Sequence, residues 1–362
     1  MTRALIPTLL ALVLVAGTLI PTQVFEALPV SAAAVDTAGS GVDKNEPVTT
    51  MKVCMAPAAG SARCHARVRT DSSAKGKAPA RVATPAAGTL GNGGAYDPGY
   101  LQSAYNLANA AASAGAGQTV AIVDAYDAPN AESDVNYYRS WFGLPACTTA
   151  NGCFRKVNQS GAAGPYPSVD PSWAQEISLD LDMVSAICPN CQIVLVEANS
   201  SSFADLGAAV NMAATLGVTA ISNSYGAVEW SGETGYWESF YNHPGIAVTV
   251  SAGDNGYGVE FPAATGYAIA VGGTTLNQAT NTGSRNATET VWSGSGSGCS
   301  AYEPKPIWQH DVGCLRRTVA DVAAVADPAT GVWVYDTTPA NGRSGWLVFG
   351  GTSVASPIVS SV

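Results

Sequence analysis

Histidine is scarce in this chain, with only His65, His243 and His310 among 362 residues. Three such scattered residues exclude a histidine-rich metal site. Charge is scarce as well, at 12% of residues, and it leans acidic: 17 Lys and Arg face 27 Asp and Glu, for a net charge of -10. The basic patch that a phosphate backbone requires is missing, which excludes nucleic acid as a partner. Long apolar runs are also lacking. Residues 5–20 come closest, but Pro7 interrupts the run and Pro21 ends it, short of the ~20 residues of a spanning helix. With Arg3 before it and Ser31-Ala-Ala-Ala34 after it, the run reads as a secretory signal over residues 1–34. The expected protein is therefore secreted and extracellular, without a stable membrane anchor.

What the chain does have is 47% hydrophobic residues, enough for one sizeable core, and eight cysteines. In an oxidising compartment these are expected as disulfides. Proximity pairs Cys54 with Cys64, Cys147 with Cys153, Cys188 with Cys191 and Cys299 with Cys314, among ~105 possible connectivities. Cys188-Pro-Asn-Cys191 follows a helical stretch rather than opening one, so it reads as a local disulfide and not as a redox motif. Residues 35–94 are rich in Ala, Pro, Ser and Gly, carry Lys and Arg, and lack sustained apolar periodicity. They read as a short propeptide or linker, with folded structure expected from Tyr96 onward and one main domain over 95–362. Beyond that point strand-like runs (119–123, 193–197, 219–222, 246–251, 268–271) alternate with helical ones (173–187, 203–216). The expected fold is α/β, a doubly wound and mainly parallel sheet with helices on both faces. Functional residues in such sheets gather at the carboxyl ends of strands.

The strongest chemical signal is Gly350-Gly-Thr-Ser353-Val-Ala-Ser-Pro357, placed between an apolar strand and a helix-compatible tail. Glycines permit a sharp turn, and the free N–H groups of the following helix face an anion site, so Ser353 is the candidate nucleophile. A serine hydroxyl needs a base to remove its proton. None of the histidines lies in a catalytic setting, whereas Glu176 and Asp180 stand four apart on a helix that is apolar nearly all round. Two buried like charges there should share a proton and titrate together. Ser251-Ala-Gly-Asp254-Asn-Gly256 ends another strand and offers a carboxylic acid as hydrogen-bond donor to an oxyanion; an Asp-Asn-Gly turn is the plain alternative.

Together these residues resemble the sedolisin family, the serine-carboxyl peptidases with a subtilisin-like fold. The supporting motifs also include Tyr105-Asn-Leu107, Ser222-Asn-Ser-Tyr-Gly226, Glu289-Thr-Val-Trp292 and Pro306-Ile-Trp308-Gln309. The resemblance implies a secreted, acid-active endopeptidase acting on polypeptides. In it Ser353 attacks, Glu176 carries the proton, Asp180 orients Glu176 and Asp254 holds the oxyanion. Asp124 is a possible extension of the network, equally readable as a loop residue. Ser222, Asn223, Ser224, Tyr225 and Gly226 are expected along the substrate cleft. The family also implies calcium, but its C-terminal loop is absent before Val362, so no metal ligand is assigned and the domain is expected to be truncated there. The propeptide is shorter than is usual in the family, and Tyr225 stands where tryptophan is common. Two alternatives remain open: a histidine-dependent subtilisin-like peptidase, and a non-catalytic secreted protein that keeps the fold.

Overall fold

The computed structural model describes residues 48–71, 78–79, 95–277 and 289–362. The signal-like residues 1–34, and the Lys- and Arg-containing stretch from Ser72 to Arg81 apart from Ala78 and Pro79, lie outside the described residues. At the centre is an eight-stranded sheet. Its order runs Glu289–Val291, Ile269–Leu276, Ala247–Ser251, Ala220–Asn223, Thr119–Ala125, Gln192–Ala198 and Phe154–Asn158, with Val322–Val325 also paired to Ile269–Leu276. All neighbours are parallel except Glu289–Val291, which is antiparallel. The expected α/β class is therefore the observed one.

Every residue of Thr119–Ala125 is buried, because the sheet is covered on both faces. Successive side chains serve opposite cores, as the strand's period of two requires. Val120 and Ile122 pack with Ile193, Leu195 and the helix residues Ala174, Ile177 and Leu181. Ala121 and Val123 pack with Val194, Val196 and Leu206, Val210 and Ala213 of the helix Phe203–Ala214. Each fully buried aliphatic side chain contributes about 1.5–3 kcal/mol.

The helix Pro171–Ile187 starts where its sequence says it should. Asp170 accepts from the Ser172 and Trp173 N–H groups, and Pro171 fills the first turn, where no N–H is needed. It packs against the sheet, against the strand Val332–Ala340 and against the terminal helix Thr352–Ser360, so its carboxylates cannot face water. All four cysteine pairs expected from proximity are formed.

The N-terminal boundary of folded structure needs correction. It lies not at Tyr96 but before Thr50, because residues 48–71 form strands Thr50–Lys52, Arg63–Cys64 and Arg67–Arg69. Arg67–Arg69 pairs with the strand Arg343–Gly350, and Thr50–Lys52 adds to its other edge. Arg63–Cys64 pairs instead with Tyr225–Val228. Short strands held by backbone pairing show no apolar period, although Val53, Ala62, Ala66 and Val68 are buried.

Candidate active site

The strand Arg343–Gly350 passes through Gly351 directly into the helix Thr352–Ser360. Glycine is required at 351 on two counts. Its φ is 96°, and the point that a Cβ would occupy is 1.9 Å from the His65 carbonyl oxygen and 2.7 Å from Asp254 Oδ2. The turn places Ser353 in the first helical turn, fully buried, with its hydroxyl donating to the Ser224 carbonyl at 3.3 Å. Asp254 Oδ1 accepts from the Thr352 N–H at 2.8 Å and from the Thr352 hydroxyl at 3.0 Å. Its Oδ2 has no hydrogen-bond partner and remains directed at the turn.

Glu176 and Asp180 lie on one face of their helix and are wholly buried. Asp180 Oδ1 accepts from the Ser224 hydroxyl at 2.9 Å, and Glu176 Oε2 accepts from the Ala66 N–H at 3.1 Å. Asp124, next to last in the strand Thr119–Ala125, is also fully buried, with neither oxygen hydrogen-bonded. Among the described residues, no lysine or arginine charge offsets those of Asp124, Glu176 and Asp180. Burial, then the charges of Asp180 and Asp124, push Glu176 well above the usual carboxylate range, and nearby Ser353 only partly opposes the rise. Burial likewise raises Asp180, and burial with the charges of Asp180 and Glu197 raises Asp124. Asp254 is raised by burial too, against the charge of His65 and its bonds to Thr352. Unpartnered oxygens on Asp124, Glu176, Asp180 and Asp254 fit protons shared within the Glu176, Asp180 and Asp124 group and one held by Asp254, since a buried, unpaired carboxylate is costly.

The site is filled by the chain's own residues 63–67, a feature that sequence reasoning missed. The His65 N–H donates to the Ser224 carbonyl at 3.2 Å, the same oxygen that receives the Ser353 hydroxyl. One residue on, the Ala66 N–H meets Glu176, while the His65 carbonyl crowds Gly351 beside Asp254. The peptide thus passes between the two walls of the cleft, antiparallel to Tyr225–Val228 on one side and to Arg343–Gly350 on the other. The nearest signal in the sequence was the Cys54–Cys64 pair, which ties down the residue beside His65.

Of the five residues expected along the cleft, Ser224, Tyr225 and Gly226 meet this segment through their backbones. Ser222 and Asn223 do not line it. Ser222 Oγ lies 3.1 Å from Ser356 Oγ, and the Asn223 side chain is held by the Thr249 carbonyl at 3.0 Å and the Tyr225 hydroxyl at 2.8 Å. These two residues brace the floor instead. The histidines bond away from Ser353: His65 to Ser251 and Glu260, and His243 to the Phe240 carbonyl, while His310 is exposed. Among the described residues no three His, Cys, Asp or Glu side chains converge to hold a metal ion, and none is assigned to calcium.

Residues 162–362, more than half of the chain, match the Subtilase family. The chain belongs to the subtilase family. Kumamolisin of Bacillus sp. (strain MN-32) is 28% identical over 345 residues, covering 83% of this chain and 56% of that protein. Sedolisin of Pseudomonas sp. (strain 101) is 36% identical over 141 residues, 32% of this chain and 22% of that one. A solved structure of Pseudomonas sedolisin, a serine-carboxyl proteinase complexed with two molecules of pseudo-iodotyrostatin, superposes with a TM-score of 0.59 at 25% identity, covering 73% of this chain and 78% of that one. These likenesses support membership of the sedolisin family with its subtilisin-like fold. This subtilase spans 56% and 22% of the two curated relatives it matches.

Proposed function

We propose that this subtilase is a secreted serine-carboxyl endopeptidase active in acid, with Ser353 as nucleophile, Glu176 as proton carrier and Asp254 as oxyanion donor. One observation supports the reading above the others: a single peptide unit, His65–Ala66, has its carbonyl beside Asp254 and its N–H on Glu176, next to Ser353. Those are the contacts that acyl transfer requires of the two ends of a scissile amide.

In this reading Ser353 Oγ adds to the carbonyl carbon as Glu176 takes its proton. Negative charge moves to the former carbonyl oxygen, where a protonated Asp254 donates to it from Oδ2. Glu176 then returns the proton to the amide nitrogen, the C–N bond breaks and an acyl-serine remains. Water, with Glu176 again accepting a proton, releases the acid and restores Ser353. Asp180, fixed by Ser224, positions Glu176 and shares its proton, and Asp124 extends this sharing behind it. Two ionisation requirements bound the activity. It falls at low pH, when Glu176 can no longer accept a proton, and at high pH, when Asp254 loses its own. Residues 48–71 then form part of a propeptide that fills the cleft of the uncut chain.

The test is covalent labelling of the full chain by a serine-directed phosphonate in acid, with the modified residue located by mass spectrometry. Labelling at Ser353 that fades in Glu176→Gln is the expected result. Modification only elsewhere, or unchanged labelling of Glu176→Gln, contradicts the assignment.

A further inference from the structure

Away from Ser353, four glutamates from two separate segments form two carboxyl pairs. Glu229, Glu233 and Glu238 belong to residues 229–241, which continue from the strand Tyr225–Val228 into the short helix Glu238–Tyr241. Glu303 belongs to the loop closed by the Cys299–Cys314 disulfide. Glu229 already joins the two segments, since it accepts from the Ser300 hydroxyl and from the Ala301 N–H at 3.0 Å. Glu233 Oε2 accepts from the Trp230 N–H at 2.8 Å, and Glu238 Oε1 from the Gly235 N–H at 2.9 Å.

Glu233 and Glu303 are wholly buried, and Glu233 Oε1 and both oxygens of Glu303 face no N–H or hydroxyl donor. What they meet are carboxyls: Glu233 touches Glu229, and Glu303 touches Glu238, each within hydrogen-bond reach. Two carboxylates have no hydrogen to share, whereas a carboxyl and a carboxylate bond through one proton. Arg317 is the cation facing Glu303, but it is committed elsewhere, paired with Asp321 and donating to the Thr265, Ala268 and Thr318 carbonyls. The neighbouring Arg316 donates to the Tyr302 carbonyl at 2.7 Å. Burial, then the bond to Glu229, raises Glu233 to about 9; burial, then the bond to Glu238, raises Glu303 to about 8. The Trp230 N–H and the charge of Arg317 oppose these rises only in part.

We propose that the pairs Glu229–Glu233 and Glu238–Glu303 form a proton-dependent clasp, which fastens residues 229–241 to the disulfide loop in acid and releases them as its protons leave. Glu233 and Glu303 donate; Glu229 and Glu238 accept. In the released loops the same carboxyls ionise near 4, so closing the clasp takes up protons. Its contribution is therefore complete below about pH 4 and is lost as pH rises through 8 and 9. Because residues 229–241 extend directly from Tyr225–Val228, the clasp holds the end of that strand in place only while it is protonated. The clasp is independent of the peptidase reading; under that reading it restricts an intact cleft wall to acid.

The experiment measures amide hydrogen exchange of the full Ser353→Ala chain at about pH 5 and about pH 8, corrected for the intrinsic rate at each pH. The amides of Trp230, Ala301 and Arg317, which are bonded within or across the clasp, should lose protection about tenfold or more at the higher pH, beyond any loss in Thr119–Ala125. Glutamine keeps the shape of a protonated glutamate and donates at every pH. Glu233→Gln and Glu303→Gln should therefore each reduce this pH-dependent loss, and the two together should remove it. Unchanged protection between the two pH values, a loss shared equally by Thr119–Ala125, or glutamine variants that loosen as the Ser353→Ala chain does would each overturn the clasp. If a glutamine variant fails to fold, the pH dependence of the Ser353→Ala chain decides alone.

Discussion

Glu176 and Glu260 are two buried glutamates reached by adjacent residues of the same peptide, yet they titrate in opposite directions. Glu176 meets the Ala66 N–H, has Asp180 and Asp124 for charged neighbours, and is pushed well above the usual range. Glu260 meets His65 and Arg63, and is held at about 2 despite its burial. The difference lies in the neighbouring charge rather than the depth. A carboxyl kept among other carboxyls can pass a proton to and from a substrate; one kept among cations stays ionised and can only bind them.

The sharpest break between the two is expected in the chemical step. Ser353→Ala and Glu176→Gln should each lower acid proteolysis of an unfolded protein by about 10³-fold or more, measured under saturating substrate. Asp254→Asn keeps the shape but alters the donor, and a loss of about 10²–10³-fold in kcat is expected. If Asp254→Asn loses only binding, seen in KM alone, the oxyanion assignment is wrong.

Smaller effects should appear in stability. Burial raises Asp336 to about 7 and, against the pull of Lys156, raises Glu197 to about 8. Unfolded carboxyls ionise near 4, so the fold binds protons that the unfolded chain has lost. Their stabilising contribution is complete below about pH 4 and disappears as pH rises through 7 and 8. For the Ser353→Ala chain, which should not digest itself, thermal melts should therefore give a lower Tm at pH 8 than at pH 5. Glu260 has the opposite sign, since its contribution is present above its unfolded value of about 4.5 and is lost as pH falls through about 2. In the same background Glu260→Gln should lower Tm near neutrality and make little difference in strong acid. The smallest expected effect is that of Asp336→Asn. It should leave stability at pH 4 within about 0.5 kcal/mol of the parent and reduce the loss of Tm at pH 8.

The central sheet was legible because Thr119–Ala125 and Gln192–Ala198 are nearly all apolar, and their observed ends lie within two residues of those expected. Phe154–Asn158 escaped notice because it is an edge strand in which only Phe154 and Val157 are buried. The hairpin of Val332–Ala340 with Arg343–Gly350 was available from Asn341-Gly342, both of which take positive φ. Within the site, the spacing of four singled out Glu176 and Asp180. Burial alone would not have done so, because Asp182 is equally buried and instead binds the Tyr335 N–H at 2.8 Å. Glu260 and His65 left no local trace, since one lies in the two-residue strand Glu260–Phe261 and the other between the strands Arg63–Cys64 and Arg67–Arg69, and they acquire meaning only when the N-terminal segment crosses the cleft.

The claim that a carboxyl group, rather than a histidine, carries the proton is tested most directly by the pH dependence of kcat/KM on an unstructured protein from about pH 3 to 8, comparing the parent with Glu176→Gln. A profile confined to acid, falling on both sides and lost in the variant, is the result predicted. Activity that peaks near neutrality and survives in Glu176→Gln would contradict the account.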